Sequence, residues 1–230
     1  MSEFSRWLQQ LEFGSLLELL VVVASSLLCI TVHETCHGLA ALWMGDDTAK
    51  RMGRLSLNPL RHVDPMGLVM MALVRFGWAK PVPINMRRFR NPKRGMALSA
   101  LAGPVSNLLL VLVAVIGKVF ALLGYYRYDS DFWYYLILFL DDTTVLSAGL
   151  AVFNLFPIPP LDGSKVLFAL LPDRTYAKLM RYEKYGMLLL VALLLLGLLD
   201  APLQSMRNGL LGVVYDLVTP LFTMLQSRLL

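Results

Sequence analysis

The hydrophobic positions of this chain fall into long apolar runs separated by polar, mostly basic stretches. The first run covers residues 16–43, and its only ionisable side chains besides cysteine are two glutamates and two histidines. A helix needs about 20 apolar residues to cross a bilayer, so this run is long enough to span a membrane and project beyond it. Gly45, followed by Asp46 and Asp47, predicts where this helix ends.

Further apolar runs follow along the chain. They cover residues 96–123, 132–155, 185–199 and 209–225. The run at 185–199 is short for a span, and the one at 209–225 contains Asp216 and Pro220, so it fits either a span or an amphipathic helix. The pattern therefore predicts an all-α integral membrane protein, a bundle of five or six transmembrane helices.

Two adjacent acidic residues interrupt the run at 132–155. These are Asp141 and Asp142, and an aspartate before a helix can accept hydrogen bonds from its first free N–H groups. They could therefore cap a helix that begins at Thr143. Residues 132–140 would then form a separate aromatic piece at the membrane interface.

The long polar region at 46–95 contains one apolar patch, at 63–74. With about 12 residues the patch is below spanning length, and basic sequence flanks it on both sides, so it predicts a re-entrant or interfacial element. A second feature of this region is residues 78–85, where Pro81 and Pro83 exclude regular helix. The apolar alternation there fits an extended edge to which another peptide could add as a strand.

The composition agrees with a membrane protein. Of the 230 residues, 57% are hydrophobic and only 16% are charged, whereas a soluble domain is about one quarter charged. The formal net charge of +5 does not indicate a nucleic-acid partner, because the basic residues lie between apolar runs. We expect the lipid bilayer as partner and a single domain, residues 1–230, with a core at about 16–172 and C-terminal helices at about 182–228.

The basic residues also predict an orientation. Of the 21 lysines and arginines, 11 lie in residues 46–95 and five in residues 157–184. Loops rich in lysine and arginine stay on the cytoplasmic side of a membrane. Both loops are therefore expected to be cytoplasmic, with the N-terminus outside.

Residues 33–37 carry the clearest chemical signal, His-Glu-Thr-Cys-His. On a helix, His33 and His37 lie on one face a turn apart, so both imidazoles can bind one Zn²⁺ ion. Glu34 lies beside them and can act as a general base toward water. Ionisable groups inside a bilayer cost ~2.5 kcal/mol or more each, so three in one apolar run require a function.

A catalytic zinc site uses three protein ligands and keeps one position open. Asp162 is the best candidate for the third ligand, because the predicted topology brings it to the same cytoplasmic side of the membrane as the histidines. It follows a proline-rich stretch at 157–160, and non-helical backbone at membrane depth occurs where protein or water covers it. The alternative is that the turn at 160–163 simply ends a helix.

Two asparagines inside apolar runs, Asn107 and Asn154, are further candidates. Either carboxamide could donate to a developing oxyanion or hold a substrate backbone, and either could instead join helices by hydrogen bonds. His62, in the polar region, is expected to be a loop residue or a partner of a ligand rather than a ligand itself.

Together these residues resemble the site-2 protease family of intramembrane zinc metalloproteases. The resemblance covers about residues 25–170 and rests on His33-Glu34-x-x-His37, Gly103-x-x-x-Asn107, Asn154 and Pro160-Leu-Asp162-Gly163. It implies one zinc per chain held by His33, His37 and Asp162, with Glu34 as base. It also implies that the protein cleaves transmembrane segments of protein substrates. The resemblance is to compact prokaryotic members of the family, which implies that the protein lies in a prokaryotic cell membrane.

Two other classes fit parts of the pattern. A non-enzymatic membrane protein with structural zinc would need a fourth ligand, and Cys36 points about 100° away from its neighbour His37. An ion or proton transporter would often show internal repeats with paired broken helices, and no such duplication is visible. Metal content and peptide cleavage would distinguish the three.

Overall fold

A computed structural model of the protein describes residues 16–67 and 79–229, and the described residues contain helices but no strands. The α-helices are α1 (Leu16–Trp43), α2 (Thr48–Arg51), α3 (Pro92–Tyr128), α4 (Asp131–Leu155), α5 (Asp162–Ala169), α6 (Asp173–Leu195) and α7 (Asp200–Leu229). Short 3₁₀ turns cover Pro59–Arg61 and Met86–Arg88.

Helix α1 ends where the glycine signal predicts. Gly45 adopts a φ of 109°, a conformation that residues with a side chain rarely take. The next N–H, of Asp46, turns back to the carbonyl of Ala41 at 2.9 Å. This turn gives the Ala41 carbonyl at the end of the helix a hydrogen-bond partner, and the first apolar run ends here.

Helix α3 is longer at both ends than the apolar run at 96–123 that predicts it. At its start the Asn91 side chain accepts a hydrogen bond from the Arg94 N–H, and Pro92 occupies the first turn. At its end Asp129 adopts a left-handed conformation with a φ of 36°. Polar capping residues therefore extend the helix beyond its apolar part.

The predicted interruption at Asp141 and Asp142 is wrong, because α4 is continuous and its capping residue is Ser130. An aspartate inside a helix lowers its stability slightly but does not break it. The Asp141 carboxylate instead pairs with Lys118 of α3. This ion pair joins two neighbouring helices and gives the charged side chain a partner.

Within residues 16–67 and 79–229, four helices are long and apolar enough to cross a membrane: Leu16–Trp43, Pro92–Tyr128, Asp131–Leu155 and Asp200–Ser227. A shorter apolar helical stretch, Tyr185–Leu195, forms the second half of α6. The all-α integral membrane class is thus confirmed, with four long apolar helices and one shorter one against five or six predicted spans.

Helices α1, α3 and α4 form the centre of the bundle and approach one another through small and polar side chains. Ser25 of α1 donates to the Phe139 carbonyl at 3.1 Å, and Ser147 of α4 donates to the Asn107 carbonyl at 3.0 Å. Such contacts hold helices together in lipid, where apolar burial between helices gives little driving force. Helix α7 packs on α3 and α4 through Val214 and Val218.

The apolar patch at 63–74 lies mostly outside the described residues, so the predicted re-entrant element stays a prediction. Residues 79–85 are described and form neither helix nor strand. The Lys80 N–H donates to the His62 carbonyl at 2.8 Å, and the Asn85 N–H donates to the Asp46 carboxylate at 2.5 Å. These two bonds fix both ends of the segment against the polar region that follows α1.

Candidate metal centre

Three predicted ligands come together at the centre of the bundle. His33 and His37, one turn apart on α1, place their Nε2 atoms 3.0 Å from each other. The Oδ2 atom of Asp162 lies 3.3 Å from the His33 Nε2 and 3.0 Å from the His37 Nε2. All three side chains are buried, and helix geometry accounts for the shared face of the histidines.

The local backbone places Asp162 at the first position of the short helix α5. The chain turns sharply after α4, and at Gly163 any Cβ would overlap the carbonyl of Leu155. A glycine is therefore required there for the carboxylate to reach α1. Lys165, three residues on, lies 3.5 Å from the other carboxylate oxygen of Asp162.

Hydrogen-bonding and positively charged groups surround the Asp162 carboxylate. The His33 and His37 rings contact its Oδ2, and the Lys165 ammonium lies near its other oxygen. Such neighbours favour the ionised form of a carboxyl group, which is the form that binds a cation.

Contacts with helix α3 set the positions of the two histidine rings. The Nδ1 atom of His37 lies 2.7 Å from the Ser99 carbonyl, which turns the opposite nitrogen, Nε2, toward Asp162. Gly103 on α3 faces both rings, and a Cβ there would overlap His37 and lie 2.7 Å from the Cε1 of His33. Helix α3 can thus approach the site because residue 103 has no side chain.

This donor set fits a zinc ion. Two imidazole nitrogens and one carboxylate oxygen lie within 4.8 Å of one another, and zinc binds these donor types in tetrahedral geometry. It is the one cluster of three such groups found in residues 16–67 and 79–229. Three protein ligands with a cavity on the fourth side are typical of a catalytic zinc site rather than a structural one.

A cavity of about 200 Å³ opens beside the three ligands. Besides these ligands, its lining includes Glu34, Pro81, Val82, Ile84, Asn154 and Lys165. Glu34 is half-buried, and its Oε2 accepts a hydrogen bond of 2.8 Å from the Val82 N–H. The carboxylate of the predicted base therefore lies on the cavity wall, in contact with the non-helical segment 79–85.

The two predicted asparagines occupy different places. Asn154 lines the cavity, and its amide donates to the Leu150 carbonyl at 3.0 Å. Asn107 is fully buried behind His33, with its Nδ2 3.3 Å from the His33 Nδ1, and it is not one of the cavity-lining residues. Only Asn154 is therefore placed where a substrate could touch it, and a direct role for either asparagine stays a prediction.

Comparison with known proteins places this geometry in a family. The model of peptidase family M50 matches residues 125–198. The protein named "Putative zinc metalloprotease YwhC" from Bacillus subtilis is 35% identical over 205 residues, which cover 87% of this chain and 92% of that protein. This chain belongs to peptidase family M50. The resemblance to site-2 proteases is thereby confirmed.

Two further relatives share less sequence identity with this chain. "Putative zinc metalloprotease Rip2" from Mycolicibacterium smegmatis is 31% identical over 185 residues, covering 76% of this chain and 67% of that protein. The protein of the same name from Mycobacterium tuberculosis H37Rv is 29% identical over 209 residues, covering 85% and 71%. No solved structure matches the chain. The M50 model matches the part that contains Asp162, whereas the histidines lie upstream of it.

His62 is not part of the metal cluster of this M50 protein. It is buried, and its Nε2 lies 2.8 Å from the Ser56 carbonyl. The hydroxyl of Thr35, on α1 between the two metal-site histidines, donates to the same carbonyl at 3.0 Å. His62 is thus a loop residue that supports the region against α1, in agreement with its predicted exclusion from the ligand set.

Three contributors to the M50 site carry little or no sequence signal. Ser99 acts through its backbone carbonyl and Val82 through its backbone N–H, and no side-chain pattern marks either role. Lys165 does follow a pattern, because it lies three residues after Asp162 on a helix. Only Lys165 could therefore have been found from spacing alone.

Proposed function

We propose that this protein is a zinc-dependent endopeptidase that cleaves the transmembrane segments of membrane proteins, in regulated intramembrane proteolysis. The observation that carries the proposal is the convergence of His33, His37 and Asp162 beside Glu34 within apolar helices of spanning length. From the start of α1 to His33 is a rise of about 25 Å. The site therefore lies within the membrane part of the bundle, where the bonds to be cut are transmembrane.

In this proposal each residue has a separate task. His33, His37 and Asp162 hold one zinc ion, which when bound supplies the Lewis acidity that makes water nucleophilic near neutral pH. Glu34 takes the proton from the attacking water and returns it to the leaving amine. Asn154 lies on the same cavity wall, where its carboxamide can donate to the substrate carbonyl or backbone.

A transmembrane substrate must unwind before its peptide bonds can be reached, and the freed N–H and C=O groups then need partners. We propose that residues 79–85 hold the unwound substrate. Pro81, Val82 and Ile84 line the cavity in a non-helical stretch beside the metal ligands. We assign this segment as the edge along which an unwound substrate adds as a strand.

The proposed activity predicts a metal-dependent cleavage. Purified protein in detergent or liposomes is expected to cut a model transmembrane peptide, to lose that activity after chelation, and to recover it when zinc is added. Cleavage is followed by mass spectrometry of the fragments, which also locates the cut within the apolar segment. Cleavage that persists in the chelated protein, with metal analysis showing no zinc, would contradict the proposal.

The orientation proposed from the basic loops places residues 46–95 and 157–184 in the cytoplasm, with the N-terminus outside. Single cysteines at Arg90 and Lys178, in a background in which Cys29 and Cys36 are replaced, test it. A membrane-impermeant thiol reagent is expected to leave both positions unlabelled in intact cells and to label both after permeabilisation. Labelling of both in intact cells would place the active site at the other face.

A further inference from the structure

The two metal-site histidines have different partners on the ring nitrogen that faces away from Asp162. For His37 this partner is the Ser99 carbonyl, at 2.7 Å from Nδ1. For His33 it is the side chain of Asn107, whose Nδ2 lies 3.3 Å from Nδ1. A carbonyl can only accept a hydrogen bond, whereas a carboxamide offers one acceptor atom and one donor atom.

A bound zinc ion determines whether the Nδ1 atom of each histidine needs a hydrogen-bond donor or an acceptor. A neutral imidazole that coordinates through Nε2 carries its proton on Nδ1, so Nδ1–H becomes a donor that needs an acceptor. The Ser99 carbonyl meets this need for His37. At His33 the atom within hydrogen-bond distance of Nδ1 is the amide nitrogen of Asn107, which is itself a donor.

A second observation points to the same residue. The Oδ1 atom of Asn107 is buried and has no hydrogen-bond partner. Water cannot supply one, because the whole residue is fully buried. A buried polar atom without a partner destabilises the fold, because it has lost its hydrogen bonds to water without replacement. Carboxamide oxygen and nitrogen exchange places by a half-turn of the terminal group, and the hydrogen-bond network decides between the two orientations.

We propose that Asn107 is a positioning residue for the metal ligand His33, with its side-chain carbonyl accepting the Nδ1–H of His33 when Nε2 binds zinc. One half-turn of the carboxamide brings an acceptor to Nδ1 and removes the unpartnered buried oxygen. The inference rests on the metal site of the proposed function. It gives Asn107 a role through His33 rather than by contact with substrate.

Burial makes this contact hard to replace. Because His33 and Asn107 are both buried, bulk water is a poor substitute acceptor for the Nδ1–H of His33. Helix α4 holds the position of Asn107 in turn, since Ser147 donates to the backbone carbonyl of Asn107 at 3.0 Å. Partners of this kind fix the tautomer and orientation of a ligand, and their loss typically lowers metal affinity 10–100-fold.

The test compares zinc affinity among three variants, measured by competition with a chromophoric chelator. Asn107→Leu keeps the size of the side chain but removes the acceptor, so the zinc Kd is expected to rise about 10–100-fold. Asn107→Asp keeps an acceptor oxygen and is expected to bind zinc nearly as tightly as the wild type. Asn208→Leu makes the identical exchange at an exposed position of α7, and its zinc Kd is expected to stay unchanged.

A wild-type Kd in Asn107→Leu would overturn the proposal. So would equal losses in Asn107→Asp and Asn107→Leu, because this result would indicate packing rather than an acceptor. An equal loss in Asn208→Leu would overturn it too, because the effect would then not depend on the contact with His33. The visible absorption of the cobalt-substituted proteins gives a second readout, expected to change in Asn107→Leu and to return in Asn107→Asp. A wild-type protein that binds no zinc would instead contradict the proposed function itself.

A measurement that leaves Asn107 in place covers the case in which Asn107→Leu fails to fold. The chain has only three histidines, so replacing His62 alone identifies the ¹⁵N-histidine signals of the two metal-site histidines in the zinc-loaded protein, and both are expected to carry their proton on Nδ1. A proton on Nε2, with zinc bound through Nδ1, would overturn the assignment.

Discussion

Glu34→Gln is expected to lower the rate of transmembrane-peptide cleavage by at least ~10²-fold, the usual effect of losing a general base, while zinc stays bound. Glutamine has the same shape but cannot take up the proton of the attacking water. Glu34 lies on the cavity wall next to His33 without belonging to the three-residue metal cluster. Single-turnover cleavage and metal analysis of the same purified sample measure both quantities.

A matched control lies on the same helix. Glu18→Gln makes the identical exchange on α1, about 24 Å from Glu34 along the helix axis, and is expected to keep the wild-type rate. Near-normal cleavage by Glu34→Gln would show that another group acts as base. Loss of zinc in Glu34→Gln would instead make Glu34 part of the metal site.

Asp162→Ala is expected to lose most of its zinc and, with it, all measurable cleavage. The substitution leaves two neutral imidazoles and removes the only anionic ligand of the cluster, and two imidazoles alone form a weak zinc site. The measurement is zinc stoichiometry by mass spectrometry of the metal after extensive buffer exchange. Peptide cleavage is then assayed on the same sample with zinc added in excess.

Asp173→Ala provides the comparison, since Asp173 also begins a helix but is exposed and pairs with Lys93. It is expected to retain full zinc and full activity. If Asp162→Ala kept one zinc per chain, the third ligand would lie elsewhere, and the turn before α5 would have only a structural role.

The sequence was sufficient to predict that His33, His37 and Asp162 come together, because two separate patterns carry these residues. The four-residue spacing of His33 and His37 is a property of helix geometry, and Asp162 follows a proline-rich turn that breaks an apolar run. The apolar runs also predicted the positions of the four long apolar helices among the described residues, apart from the interruption expected in α4, since length and hydropathy are local properties. That the three residues bind zinc stays a prediction.

Contacts that depend on packing could not be predicted in the same way. Asp141 suggested a break in α4 because its ion-pair partner is not visible in the neighbouring sequence. That partner, Lys118, lies on another helix and 23 residues away in sequence. Asn107 and Asn154 looked equivalent as carboxamides in apolar runs. Only the rotation of each helix within the bundle decides that one faces the cavity and the other faces the back of His33.

Under the proposed function, the hydrogen bond between Val82 and Glu34 would link substrate binding to the availability of the base. Pro81 and Pro83 lack an N–H group, so Val82 carries the only one among residues 81–83, and that group donates to the Glu34 carboxylate. A peptide that pairs with Val82 would compete with Glu34 for this hydrogen. Substrate binding and release of the base would then be one exchange of acceptors, and a peptide too short to reach Val82 would leave the base hydrogen-bonded.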